Sequence, residues 1–361
     1  MRSASASAMA TTRGSTPGAI SAGSASRTAR RPDAGAARSE RSVSRTVQSP
    51  PMSASPVSTP LGAARDRTAP MTSEHPADRL LARVRAVGAA TCVGLDPVID
   101  RLPSALEPSD RADAAACALA IERFSLGVVE AVADHAAAVK IQAACFERHG
   151  ADGFAAMARV LRAAHASGLV VVYDAKRGDI GISAEHYAAS ARAFGADWTT
   201  VNAYLGADGL RPFLAAGGAA FALVRTSNPS GDALQGQRLA DGRTVAEMVA
   251  DLVTEVGRES LGASGYSALG AVVGATKRAE IAALRARMPQ AWFLVPGYGA
   301  QGGTADDVRA AFAKDGGGAL ITASRSVIYP AAQGGDDWKS AVRDAAKAFA
   351  HEIRAIASPA K

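Results

Sequence analysis

Short apolar segments recur along the chain from about residue 90 onward and alternate with Ala-rich stretches in which apolar residues have helical spacing. Gly, Asp or Asn bounds most of the apolar segments. This alternation favours a parallel sheet with helical crossovers, because strands covered on both faces are apolar almost throughout. Eight strands are predicted, at residues 91–97, 137–142, 169–177, 198–206, 221–228, 269–276, 292–299 and 318–326.

Eight strand and helix units in succession predict a (β/α)8 TIM barrel. A doubly wound open sheet is the alternative, since the number of strands alone does not separate the two folds. In a barrel, the chemistry lies where strands end and the following loops begin. Polar residues are expected there, and the amino-terminal ends of the strands show nothing comparable; the polar residues are Asp96, Lys140, Asp174, Lys176, Asn202, Thr226, Ser227, Thr276, Lys277, Gln301 and Arg325.

The first 70 residues differ in composition from the rest of the chain. They consist mainly of Ser, Ala, Thr, Arg, Pro and Gly, with too few large apolar residues to form a core, so a disordered tail is predicted over 1–70 and the barrel domain over 71–361. An Arg-rich, acid-poor tail is also typical of an organelle transit peptide. A start at Met71 is the alternative, because helical periodicity begins directly after it.

The positive charge of the chain belongs to this tail. The formal net charge is +6, but ten Arg and three acidic residues give residues 1–70 a charge of +7 and leave −1 for the remainder. A nucleic-acid partner is therefore not expected for the folded part. No apolar window is long enough to span a bilayer and no secretory signal is visible, so we expect no membrane partner and a cytoplasmic location.

The segment "DAKRGD" at the end of the third predicted strand carries the strongest candidate chemistry. Asp174 and Lys176 are two residues apart and share one face of a strand, and Asp179 follows Gly178. A lysine between carboxylates is held protonated and can act as a cationic proton donor. The alternative is a solvated turn, but the position at a strand end favours a functional site.

Lys140 is expected at the tip of the second strand, where its charge must be paired or solvated. In a barrel it could reach Asp174 and Lys176, so that an alternating array of two lysines and two aspartates is possible. A lysine that extends its ammonium group into water is the alternative.

Two segments near the end of the chain favour an anion site. "VPGYGAQGGTADD" contains Pro296 and Gln301 after the seventh strand, and "TASRSV" places Arg325 after the eighth. Exposed backbone N–H groups and an arginine bind anions, and barrel enzymes commonly hold a substrate phosphate after strands 7 and 8. A plain glycine-rich turn is the alternative. The three cysteines and six histidines lack metal-site spacing, so no metal is predicted.

Together these residues resemble orotidine 5'-phosphate decarboxylase, in the sequence type whose signature is D-x-K-R-G-D-I-G. The resemblance covers about residues 78–350 and depends on six separated motifs: "VGLDP", "VKIQAACFE", "DAKRGDIGIS", "TSNPSG", "PGYGAQGG" and "SRSVIYP". It implies a cofactor-free barrel homodimer that converts orotidine monophosphate to uridine monophosphate and CO2, the last step of de novo pyrimidine synthesis.

The resemblance also implies roles for individual residues. Lys140, Asp174, Lys176 and Asp179 would form the charged array, and Lys176 would protonate C6 of the pyrimidine. Asp179, Ile180 and Ser183 would enter the site of the partner subunit, and Ser183 stands where the family often has Thr. The remaining substrate contacts would come from Asp96, Ser227, Pro296, Gln301 and Arg325, which bind ribose, pyrimidine and phosphate. Tyr298 and Ser324 have no assigned role.

Three other functions compete with this one. A metal-dependent sugar-phosphate decarboxylase or aldolase would share the loop but have an acid at the position of Lys140. A sensor that only binds a phosphate ligand would not need Lys176 between two acids. Nucleic-acid binding through the tail would depend on salt concentration.

Overall fold

A computed structural model describes residues 74–275, 278–299, 302–330 and 337–357. The predicted tail, residues 1–70, lies outside these ranges, and so does Gln301. The interpretation of the tail as a separate region therefore stays a prediction.

Eight parallel strands form one closed barrel, in which each strand pairs with its neighbours in sequence and the last strand pairs with the first. An open sheet would leave its outer strands unpaired, so the predicted barrel is confirmed and the doubly wound alternative is wrong. Almost every strand residue is buried, which explains the continuous apolar runs. The strands are β1 Thr91–Leu95, β2 Ala138–Gln142, β3 Val170–Arg177, β4 Trp198–Val201, β5 Ala219–Arg225, β6 Leu269–Val273, β7 Phe293–Val295 and β8 Ala319–Ala323.

Helices follow the strands and cover the outside of the barrel. The first helix has Pro76 in its first turn and is followed by Gly88, whose φ of 71° ends it. None of the described helices is both long and apolar enough to cross a bilayer. The helices are α1 Pro76–Val87, α2 Ala114–Val132, α3 Ala143–Glu147, α4 Gly150–Ala166, α5 Gly181–Ala193, α6 Arg211–Leu214, α7 Asp232–Gln235, α8 Val245–Gly257, α9 Arg278–Arg287, α10 Ala305–Arg309, α11 Arg325–Ile328 and α12 Trp338–Ala357.

Two large, fully buried aromatic side chains pack together inside the barrel. Trp198 and Phe221 stack with their ring centroids 4.3 Å apart. Gly270 on β6 makes room for them, because a Cβ atom at this position would lie 2.6 Å from the Phe221 ring. The side chains at this level of the barrel are therefore closely packed.

The fourth predicted strand was too long. β4 ends at Val201, where the Asn202 side chain accepts the N–H of Tyr204 at 3.1 Å and starts a short 3-10 turn. Gly206, with a φ of 76°, then redirects the chain. An Asx turn of this kind competes with strand pairing, which explains the early end.

The connection after β5 is long, as predicted, since the next full helix begins only at Val245. Arg225 fixes its start. This buried residue donates to Asp232 at 2.6 Å in the loop and to Glu280 at 2.5 Å on α9. The loop is thus anchored to the barrel beside the carboxyl ends of the strands.

Candidate active site

Lys140 lies inside the barrel. β2 continues past it to Gln142, so the prediction of a strand tip was wrong, and only 7 % of the residue is exposed, which excludes an ammonium group extended into water. Its Nζ donates to Asp174 Oδ2 at 2.7 Å and lies 3.6 Å from Asp96 Oδ1. Burial alone would lower the pKa of Lys140, but the two carboxylates outweigh burial and hold this pKa above its usual value.

Asp174 is the centre of the cluster. It is 5 % exposed and accepts hydrogen bonds on both oxygens. Lys176 Nζ at 2.7 Å and Thr200 Oγ at 2.8 Å donate to Oδ1, while Lys140 Nζ and Gln142 Nε2 donate to Oδ2. Burial opposes ionisation, yet the two lysines hold the pKa of Asp174 well below its usual value, so the carboxylate is ionised at neutral pH.

Lys176 places the second ammonium group at the opening of the barrel. Its side chain is about half exposed, and its backbone has a φ of 46°, in the left-handed region that non-glycine residues rarely adopt. The ion pair with a buried carboxylate excludes the solvated turn. A pre-placed cation next to a mouth that opens to solvent can stabilise developing negative charge and deliver a proton.

Asp96 follows β1 and faces Lys140. Ser324 Oγ donates to its Oδ2 at 2.6 Å, whereas Oδ1 is a buried oxygen with no hydrogen-bond partner among the described residues. Ser324, which the sequence left without a role, therefore orients Asp96. This oxygen faces the Lys140 ammonium group at 3.6 Å but can still accept a hydrogen bond from a bound molecule, such as one from a hydroxyl group.

The other half of the "DAKRGDIGIS" motif lies on the surface of its own chain. Asp179 accepts the N–H of Ile180 at 2.9 Å and makes no ion pair with Lys140 or Lys176 of the same chain. Ile180 is 56 % exposed, and Ser183 is exposed in the first turn of α5. The array within one chain consists of Asp96, Lys140, Asp174 and Lys176.

Three further predicted residues lie after strands that end at the same edge. Ser227 follows β5 and packs closely on Gly274, where a Cβ atom would come within 2.9 Å of it. Pro296 follows β7, and its carbonyl accepts the Ala275 N–H at 2.9 Å. Arg325 follows β8 and is exposed. Tyr298 does not join them, because its hydroxyl donates to Glu352 on α12.

A cavity of about 450 Å3 lies elsewhere, against the outer side of β3. Arg177 reaches it and donates to Glu147 at 2.8 Å and to the Tyr173 hydroxyl at 2.9 Å. Adjacent residues of β3 thus serve different sides, with Lys176 at the mouth and Arg177 on the outer wall. Within the described residues, no group of His, Cys, Asp and Glu could hold a metal ion.

A sequence profile of the "Orotidine 5'-phosphate decarboxylase / HUMPS family" matches residues 92–336. The chain belongs to this family. The family that the motifs predicted is therefore confirmed, and so is the enzyme class, a carboxy-lyase of pyrimidine biosynthesis.

Individual relatives match over most of their length. A protein named orotidine 5'-phosphate decarboxylase from Rhodopirellula baltica is 42 % identical over 293 residues, which cover 74 % of this chain and 95 % of the relative. One from Deinococcus radiodurans is 42 % identical over 269 residues, covering 73 % and 90 %. The solved structure of Leishmania donovani OMP decarboxylase superposes with a TM-score of 0.65 at 35 % identity and covers 79 % of this chain and all of that one.

Proposed function

We propose that this protein converts orotidine 5'-phosphate to uridine 5'-phosphate and CO2 without a cofactor. One observation carries the proposal. The Asp174 carboxylate lies between the ammonium groups of Lys140 and Lys176, each 2.7 Å from one of its oxygens, in the barrel of a chain that belongs to this family. In the reaction the bond from C6 to the carboxylate breaks, and its electron pair stays on C6. Lys176 then transfers one proton from Nζ to C6.

The array suits this chemistry for an electrostatic reason. The carbanion at C6 has no cofactor to delocalise its charge, so a cation fixed in advance beside it must lower the barrier. Asp174 keeps Lys176 charged and in place, and Lys140 prevents Asp174 from taking up the proton itself. Binding energy from distant groups of the substrate can hold the pyrimidine in this arrangement.

The substrate contacts are proposed from the same edge of the barrel. Asp96 Oδ1, which accepts no hydrogen bond from the described residues, would bind ribose hydroxyls together with Lys140. Ser227 would contact the pyrimidine, with Pro296 beside it. Arg325 is exposed after β8 and would bind the phosphate together with Gln301, which lies outside the described residues.

We propose further that the enzyme is a homodimer with shared sites, in which Asp179, Ile180 and Ser183 complete the array of the partner subunit. The support is an apolar surface beside this segment. Its members are large, exposed hydrophobic side chains at the entry to α5 and on the turn after β4: Ile180, Ile182, Tyr204 and Leu205, of which Tyr204 is 83 % exposed. A second copy would remove this surface from water.

A complementation experiment tests the shared site. Lys176→Ala and Asp179→Ala chains, each inactive alone, are co-expressed with different tags, and mixed dimers are purified. Each mixed dimer would contain one site with both Lys176 and Asp179 intact, so activity should return. Purified mixed dimers without activity would refute the sharing, although they would leave the decarboxylase proposal standing.

The activity itself is tested by adding orotidine monophosphate to the purified protein with a chelator present and following the ultraviolet change to uridine monophosphate. Full turnover is expected. Turnover that requires a divalent metal, or no turnover of orotidine monophosphate, would favour the sugar-phosphate decarboxylase or aldolase alternative.

We also propose a cytoplasmic location and a dispensable tail. If the tail is dispensable, a chain that starts at Met71 should keep the same kcat/KM.

A further inference from the structure

Thr200 occupies a distinctive position opposite an irregular stretch of β3. Tyr173 pairs with Thr199 and Arg177 pairs with Val201. The chain therefore advances four residues on β3 between these pairings but only two on β4. β3 therefore carries two extra residues within the segment that holds Asp174 and Lys176. Thr200 is the one residue of β4 between these two pairings, and it is 1 % exposed.

The Thr200 hydroxyl connects both members of the ion pair. Its oxygen accepts the backbone N–H of Lys176 at 2.9 Å, and it donates to Asp174 Oδ1 at 2.8 Å. The directions are fixed, because a backbone N–H can only donate and an ionised carboxylate can only accept. Since Lys176 Nζ donates to the same Oδ1 at 2.7 Å, the three residues close a ring.

This ring holds Lys176 at two points, its backbone N–H and its ammonium group. The backbone of Lys176 has a φ of 46°, and among the described residues Ala216 is the other non-glycine residue with a positive φ. Such a conformation is unfavourable for a side chain with a Cβ atom and persists only where neighbours over-determine it. The hydroxyl of Thr200 supplies one of these constraints in the buried wall of the barrel.

We propose that Thr200 is a positioning residue for decarboxylation: its hydroxyl holds the strained backbone of Lys176 and orients the Asp174 carboxylate, which together aim the Lys176 ammonium group. The proposal builds on the function proposed above. Loss of the hydroxyl leaves the Lys176 N–H without its acceptor and frees one lone pair of Asp174. Lys176 can then relax to an ordinary backbone conformation, which would move its Nζ away from C6 of the pyrimidine.

Three variants test this role. Thr200→Val keeps the shape of the side chain and deletes the hydroxyl, whereas Thr200→Ser keeps the hydroxyl. Thr199→Val is the matched control, since Thr199 is the adjacent buried residue of β4 and points to the opposite side of the strand. Thr200→Ala replaces Thr200→Val if the latter does not fold, as judged by thermal unfolding.

The expected result is a loss in kcat without a comparable change in KM. Thr200→Val should lower kcat about 30-fold, within the range for residues that orient a catalytic group, while KM and the affinity for uridine monophosphate stay within about threefold. Thr200→Ser should restore kcat to within about threefold, and Thr199→Val should not change it. Equal kcat in Thr200→Val and the wild type, or equal losses in Thr200→Val and Thr200→Ser, would overturn the proposal.

Crystal structures of the wild type and Thr200→Val provide a test that does not require turnover. In the variant, the φ of Lys176 should leave the left-handed region and its Nζ should move away from Asp174. An unchanged Lys176 in the variant would overturn the positioning role even if the enzyme is a decarboxylase. Absence of decarboxylation by the wild type, in contrast, would count against the proposed function and would be seen before any variant is made.

Discussion

Two buried aspartates lie at opposite ends of the β3 and β4 pair, and they are partnered differently. Asp174 is near the carboxyl end of β3 and contacts two lysines. Asp197 precedes β4 at the other end, where it pairs with Arg79 of α1 and accepts the Val171 N–H at 2.8 Å. Arg79 also contacts His165 at 3.3 Å, so this cluster ties α1 and α4 to the first residues of β3.

The difference in their partners distinguishes a structural residue, Asp197, from a residue of the candidate active site, Asp174. Asp197 has one cation, and burial raises its pKa above the usual value in spite of Arg79. Burial opposes ionisation of Asp174 too, but the charges of two lysines lower its pKa, and an oxygen of Asp96 without a hydrogen bond lies nearby. Barrel enzymes carry chemistry at the carboxyl ends of their strands and stability at the amino ends. A buried carboxylate therefore indicates a site only together with its partners and its end of the barrel.

The largest effect is expected at the catalytic end, for Lys176→Ala. This variant removes both the proton donor and the cation beside the developing charge, so kcat should fall by at least about 10⁴-fold. Uridine monophosphate should still bind in calorimetry, because the proposed ribose and phosphate contacts remain. Lys339→Ala is the control: this lysine pairs with Glu130 at 2.6 Å on the outer surface, and its loss should leave kcat unchanged. Near-normal turnover in Lys176→Ala would contradict the mechanism.

A pair of asparagine substitutions should distinguish the two ends. Asp197→Asn leaves Arg79, whose side chain is 17 % exposed, without its carboxylate, so the free energy of unfolding should fall by about 3 kcal/mol with little change in kcat. Asp174→Asn should lower kcat about 10³-fold. Its free energy of unfolding should fall by less than that of Asp197→Asn, because Lys176 can turn to water and Lys140 still has Asp96 as an ion-pair partner. Denaturant titrations and initial rates measure both quantities. The same loss of kcat in the two variants would remove the distinction.

The barrel could be predicted because parallel strands buried on both faces leave apolar runs that are visible without knowledge of their partners. Asp174 and Lys176 could be predicted because they end such a run. Their local spacing and the nature of their side chains are sufficient to place them on one face.

The barrel topology allowed contact between Lys140 and Asp174 to be anticipated, but features that depend on the exact register between strands could not be predicted. The two extra residues of β3 follow from its register with β4, so Thr200 gave no signal as a partner of Lys176. Gln142 was missed for a related reason, because its partner Asp174 lies on the neighbouring strand, 32 residues further along the chain. Asp197 at the amino end of β4 also gave no signal, because its partner Arg79 lies 118 residues away along the chain. The local sequence around either residue does not indicate such contacts.

The dependence of stability on pH should also differ between the wild type and Asp174→Asn. The pKa of Asp174 is depressed in the folded protein, so its ionised form stabilises the fold above the usual aspartate pKa of about 3.9. This contribution is lost as the pH falls toward the lower pKa of the folded state. The difference in denaturation midpoint between the two proteins should stay constant from pH 7 to about pH 5 and shrink below about pH 4. A difference that grows on acidification would contradict the assigned direction.

The smallest effect is expected for Tyr298→Phe, which tests whether a polar residue in a mouth loop belongs to the site. Tyr298 follows β7 closely, yet its hydroxyl donates to Glu352 on α12 and it is 9 % exposed. Its removal deletes one hydrogen bond between the loop and the outer helix, so the free energy of unfolding should fall by about 1 kcal/mol while kcat and KM stay unchanged. Initial rates and denaturant titration measure these quantities. A clear rise in KM would instead indicate that Tyr298 contacts the substrate and that the loop after β7 belongs to the active site.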